Sequence, residues 1–174
     1  MVYNSHIIMR INAVCTFLIS LIVLNAQVLA KGLFDLDFTA AQIQNMEYLE
    51  KEYNLDADLL MTAVNYASSY QKGVTKNNIL TIIDYRMPSF QKRMWVIDIE
   101  TMEIVFGRFK GKGREPFHQL VAHGINSGDA MYARTFSNIS NSNQSSLGFF
   151  RTAETYKGRH GYSMRIDGLE SKHN

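Results

Sequence analysis

The sequence predicts an α+β fold, an N-terminal helical pair followed by a mostly antiparallel, β-rich domain. Three observations lead there. Apolar residues recur at helical spacing between 39 and 71. From 79 onward the period changes to short β-branched and aromatic runs. Those runs are separated by short turn-forming stretches, which suits hairpins with helices set at one end of a sheet.

The chain has 174 residues, 46% hydrophobic and 20% charged, so it is long enough for one core and ordinary enough in composition to fold. A net charge of +2 with no clustered basic stripe argues against nucleic acid as a partner. Residues 13–24 (AVCTFLISLIVL) form an uncharged apolar run preceded by Arg10. That run is shorter than the ~20 residues a membrane-spanning helix needs. Val28 and Ala30 place small side chains just ahead of Lys31, so 1–30 reads as a secretory signal peptide cleaved after Ala30. The expected location is therefore exported, in the periplasm or cell envelope of a bacterium, with membrane contact only through this segment. Cleavage removes Arg10 and no acid, which takes the net charge from +2 to +1. It also removes Cys15, the one cysteine, so the mature chain has no disulfide, thiolate or cysteine metal site.

A helical preface is expected over 31–78. Ile43, Met46, Tyr48, Leu49 and Tyr53 follow helical spacing, with Thr39 placed to cap and Asn54 to stop the helix. Asp56 caps a second helix to about 71, with Leu59, Leu60, Ala63, Val64 and Ala67 on one side and Gly73 ending it. Strands are expected at 79–85, 93–99, 103–109, 120–122, 148–152 and 162–167. Residues 86–89 are a turn, 93–99 and 103–109 the two arms of a hairpin, 110–114 (KGKGR) a solvated basic turn, and 135–146 a polar loop.

The chemistry-bearing residues point nowhere by spacing alone. His118, His123, His160 and His173 match no zinc-binding pattern, so no metal or other cofactor is expected. Ser145 and Ser146 lack the G-x-S-x-G elbow of a serine nucleophile. Glu154 and Asp167 lie on different strands and suit salt-bridged surface roles better than a catalytic pair.

An ordered set of short motifs changes this. Ile82-Ile83-Asp84-Tyr85, Pro88-Ser89 and Arg93-Met94-Trp95-Val96-Ile97-Asp98 are followed by Val121-Ala122-His123-Gly124, Asn126-Ser127-Gly128 and Thr135-Phe136-Ser137-Asn138. Then come Ser145-Ser146-Leu147-Gly148-Phe149-Phe150, Glu154-Thr155-Tyr156 and His160-Gly161-Tyr162-Ser163-Met164-Arg165-Ile166-Asp167-Gly168-Leu169-Glu170. From 79 to the end the chain resembles the murein (peptidoglycan) L,D-transpeptidase catalytic domain family, and 79–174 is expected to be a partial domain of that kind.

The resemblance implies a β-rich domain with a cleft over a catalytic cysteine. The thiolate attacks a carbonyl of a peptidoglycan stem peptide, and an amine then takes the acyl group. A histidine activates the thiol and backbone N–H groups hold the oxyanion. In the family the histidine and a Ser-x-Gly-Cys signature follow the region that resembles Asp167-Gly168-Leu169-Glu170. Neither is found after it here, so the expectation is a truncated, inactive member with no catalytic residue assigned. The resemblance places Ser145, Ser146, Gly148, His160 and Gly161 on the substrate side of the cleft, with peptidoglycan stem peptides as partner. The second reading is an exported, non-catalytic peptidoglycan-binding or scaffold protein.

Overall fold

The computed structural model describes residues 36–69, 78–109, 113–159 and 161–170. The signal segment, Gly73, His160 and His173 lie outside the described residues.

Helix α1 (Ala40–Tyr53) and helix α2 (Ala57–Ser69) are the predicted pair. Asn54 stops α1 by taking a left-handed backbone (φ 52°), which asparagine tolerates well. The Leu55 N–H then reaches back to the Leu49 carbonyl at 3.4 Å, and both leucines are buried. Asp56 caps α2, its Oδ1 accepting from the Leu59 N–H at 2.8 Å. Leu60, Ala63 and Val64 bury the face of α2 that the sequence predicts. Helix α1 is different. Ile43 and Tyr48 are exposed, and the amides of Gln42 and Asn45 reach the sheet instead, donating to the Glu100 and Thr101 carbonyls at 2.9 and 2.8 Å.

Strands β1 (Ile79–Ile83) and β2 (Met94–Asp98) pair antiparallel from Ile79↔Asp98 to Ile83↔Met94. Residues 85–90 form the expected turn. Strand β3 (Glu103–Ile104) pairs with one end of β2 and β6 (His118–Gln119) with the other. Between them lies an excursion, the separate hairpin of β4 (Phe106–Phe109) and β5 (Gly113–Pro116).

This corrects the predicted single arm at 103–109. The chain leaves the edge of β2 at Val105, whose N–H donates to the Val96 carbonyl, and returns at Phe117, whose carbonyl accepts from the Val96 N–H. One strand edge is thus shared by two short pieces, and Gly113 and Arg114 belong to a strand, not a loop. The strand expected at 120–122 is likewise found two residues earlier, at β6. By Val121 the chain has left the sheet, and the Arg93 guanidinium takes the Val121 carbonyl.

The core forms where α1, α2 and the β2 sheet meet. Trp95 and Ile97 are fully buried, with Leu49, Leu55, Leu60 and Met102 around them. Each such side chain stabilises by roughly 1.5–3 kcal/mol through burial. The Trp95 indole N–H donates to the Tyr53 carbonyl at 2.9 Å, fastening the end of α1 to β2. Strands β7 (Phe150–Gly158) and β8 (Gly161–Gly168) make a third, two-stranded ladder, longer than the runs expected at 148–152 and 162–167. The ring of Phe149, at its base, stacks on Tyr66 of α2 with centroids 3.5 Å apart.

Candidate functional site

The site is built from the long irregular segment between β6 and β7. Its anchor is Arg93, a charged residue with no exposed surface. The guanidinium donates to the Val121 carbonyl through Nε (3.0 Å) and Nη2 (2.7 Å), and to the Met87 carbonyl through Nη1 (2.6 Å). Nη2 also donates to Nδ1 of His123 at 3.0 Å. An arginine only donates, so Nδ1 must present its lone pair and the ring hydrogen must sit on Nε2. There it donates to the Asp129 carbonyl at 2.8 Å. Both ring nitrogens of His123 are thereby engaged in holding the loop. Burial pushes the Arg93 pKa down, opposed by the nearby Tyr85 and Asp84. Asp84 is itself buried, which pushes its carboxyl up. Hydrogen bonds from Arg86 and the Arg86 and Arg93 charges outweigh that and hold it below the usual range.

Asp129 organises the next turn. Its Oδ1 accepts from the Met131 and Tyr132 N–H groups, each at 2.8 Å, and its Oδ2 from Arg134 at 3.1 Å. The two backbone donors, Tyr132 first, and then Arg134 pull the carboxyl down to about 2. A depressed carboxyl pKa stabilises the folded loop above the ordinary value of 3.8 and ceases to as pH falls through about 2. The Met131 and Tyr132 amide-proton shifts are therefore expected to move together in an NMR titration, with a midpoint near 2.

The serines lie at the centre of this loop. Ser127 is fully buried, and its Oγ accepts from the Ser145 N–H at 2.7 Å. Its carbonyl accepts from Arg134 and Thr135 N–H at 2.6 and 2.9 Å. The Ser145 Oγ accepts from Gly124 N–H at 2.9 Å, and its carbonyl from Ser137 N–H at 3.1 Å. Ser146 Oγ donates to the Ser137 carbonyl at 3.1 Å. Gly124 and Gly128 permit this closeness. A Cβ on Gly124 would overlap the Asn143 carbonyl, and one on Gly128 the Tyr132 carbonyl. Beside them opens a cavity of about 410 Å³, with Ser89, His123, Gly124 and Gly128 among its walls.

The structure thus brings Ser145 and Ser146 together with His123-Gly124 and Ser127. Gly148 follows in an exposed turn with φ 119°, a conformation left to glycine. Gly161 is elsewhere. It pairs with Gly158 at the tip of the β7–β8 hairpin, whose nine-residue strand separates it from the base near Phe149 by ~25–30 Å. No contact among the described residues joins that tip to the serines.

As chemistry, the loop offers fixed hydroxyls and backbone groups around a concave opening. Among the described residues, no hydrogen bond links a serine hydroxyl to a histidine or carboxylate that would activate it. No group of three His, Cys, Asp or Glu side chains is placed to hold a metal there either. Glu154 and Asp167 take the surface roles expected, in ion pairs with Arg165 at 2.9 Å and Arg151 at 3.1 Å. Sequence reasoning missed Arg93, Ser127 and Asp129. Arg93 and Ser127 lie inside quoted motifs, but nothing in the spacing marks either as buried.

No curated protein and no solved structure matches the chain at a significant level. A family model does match. Described as the L,D-transpeptidase catalytic domain, it covers residues 51–174, which takes in α2, all eight strands and the serine loop. The match spans more than two thirds of the chain and agrees with the motif order read from the sequence, and the chain belongs to the L,D-transpeptidase catalytic domain family.

Proposed function

We propose that this polypeptide is an exported L,D-transpeptidase-family protein that engages peptidoglycan stem peptides through the serine loop and does not itself form an acyl-enzyme. The observation that carries the proposal is the joint placement of the family match and the cysteine. The match covers 51–174, and the one cysteine of the 174 residues is Cys15, inside the apolar N-terminal run. Acyl transfer by this family's chemistry needs a thiolate with a neighbouring base, and 51–174 contains no thiol. What this segment supplies is recognition. In this reading Ser145, Ser146 and Gly148 meet the peptide beside the cavity that Gly124 lines, a reading supported by the hydrogen bond from the Gly124 N–H to the Ser145 hydroxyl. Gly161, at the hairpin tip, makes a separate contact on the same substrate, and His160, which lies outside the described residues, joins it in this reading.

The scaffold reading draws on one specific observation. The buried Arg93 and Ser127 find partners in the Val121 and Met87 carbonyls, His123 Nδ1 and the Ser145 N–H, the pairing expected of buried polar groups in a folded domain. Export follows from the apolar run at 13–24, which lies outside the described residues. Among those described, no helix is long and apolar enough to cross a membrane.

The test is incubation with a carbapenem followed by intact-mass measurement. The expected spectrum shows unmodified protein only. A covalent adduct on any residue of 51–174 would contradict the proposal.

A further inference from the structure

A second cavity, of about 620 Å³, lies between α1, the β2–β3 turn and the β4–β5 hairpin, well within the ~300–1,000 Å³ typical of small-ligand sites. Its floor is apolar, with Leu49 and Met102 each 1% exposed. Two exposed rings, Tyr48 and Phe106, stand among its walls. Glu103 and Arg114 add one charge of each sign, and the Arg114 guanidinium lies over the Phe106 ring at 5.5 Å.

The walls are fixed in place. Gln42 and Asn45 on α1 clamp the turn carbonyls of Glu100 and Thr101. Met102 is held in a left-handed backbone (φ 56°), which a long side chain adopts only where its surroundings enforce it. Strain of that kind concentrates at ligand clamps.

The chemistry of the lining selects among ligands. Aromatic faces beside hydroxyl-bonding carboxylate and guanidinium groups match a pyranose, whose C–H face lies on a ring while its hydroxyl edge donates and accepts. Asp98 joins Glu103 against Arg114, so the lining carries a net negative charge that disfavours phosphate or carboxylate ligands. The apolar floor suits the methyl of an acetamido group.

We infer that this cavity is a saccharide-binding site for a neutral chain of N-acetylated amino sugars. Its natural source is the glycan strand that bears the stem peptides, an identification that rests on the peptidoglycan reading above. The site would hold the strand while the serine loop meets the peptide.

The experiment titrates the full chain with the β-1,4-linked trimer of N-acetylglucosamine, followed by ligand-observed NMR, beside a pull-down on purified sacculi. Saturable binding is expected, weakened about tenfold, equivalent to ~1.4 kcal/mol, in the Tyr48→Ala/Phe106→Ala double variant. Tyr48→Phe, which keeps the ring, should stay close to wild type. Unchanged affinity in a double variant that still melts cooperatively overturns the inference. Should that variant not fold, Glu103→Ala takes its place, and unchanged trimer affinity there overturns it equally. Binding to sacculi without binding to the trimer overturns the saccharide site and leaves the peptidoglycan reading standing. Binding to neither overturns both.

Discussion

Replacing Arg93 by methionine is expected to lower the stability of the domain by about 3–5 kcal/mol, the combined loss of several charge-assisted hydrogen bonds to neutral acceptors. The side chain has no exposed surface, and its donors satisfy two carbonyls, Val121 and Met87, from segments otherwise unconnected by secondary structure. Without it those part-buried carbonyls and His123 Nδ1 lose their donors, each at a cost of up to ~1–3 kcal/mol. Arg93→Lys should recover only part of the loss, because an ammonium cannot span the forked geometry. Thermal melts check this, with Tm expected to fall by roughly 10–20 °C. The loop should also release His123, seen as a change in its ring NMR signals. A variant as stable as wild type would show that the guanidinium network contributes little.

Trp95→Ala should cost a similar ~3–5 kcal/mol by emptying the centre of the core. Trp95 is fully buried on the middle strand, and its indole N–H holds the last carbonyl of α1. His118 stacks on it with centroids 5.3 Å apart and meets Tyr53 edge-on at 5.4 Å. Burial lowers the His118 pKa below its ordinary 6.5, opposed by its hydrogen bond to the Lys92 carbonyl and aided by the Lys92 charge. The unfolded chain therefore takes up this proton first, and wild-type stability falls as pH drops below about 6.5. Emptying the Trp95 site opens His118 to water and flattens that dependence. Urea unfolding of wild type and variant between pH 7 and pH 5 reads both effects.

Much of the helical half was legible because its signals are local. Asn54 and Asp56 sit where stop and cap chemistry demand them, and Leu60, Ala63 and Val64 follow the period of the helix. The strands at 79–83 and 94–98 were legible for the same reason. What escaped depends on long-range partners. The split at Val105 is set by Val96 and Phe117, and no residue near 105 announces it. Nothing beside Arg93 in the sequence marks it as buried, because Val121 and His123, which close around it, lie some 30 residues on. Ser145 looks like one of several loop hydroxyls, yet its N–H, carbonyl and Oγ all bind other parts of the loop. The family motifs name these stretches without their arrangement, and only the fold shows Ser127 and Gly124 joined to Ser145 while the Gly161 turn stands at the far end of a hairpin.

The most direct measurement is co-sedimentation of the purified chain with sacculi, comparing wild type with Gly124→Ala. A Cβ at Gly124 strikes the Asn143 carbonyl and must displace the segment that carries Ser145, without touching the Trp95 core. Saturable binding by wild type, reduced at least about tenfold in a variant that still melts cooperatively, is the predicted result. Wild-type protein that remains in the supernatant, or a variant that sediments as well as wild type, would contradict recognition of peptidoglycan through this loop.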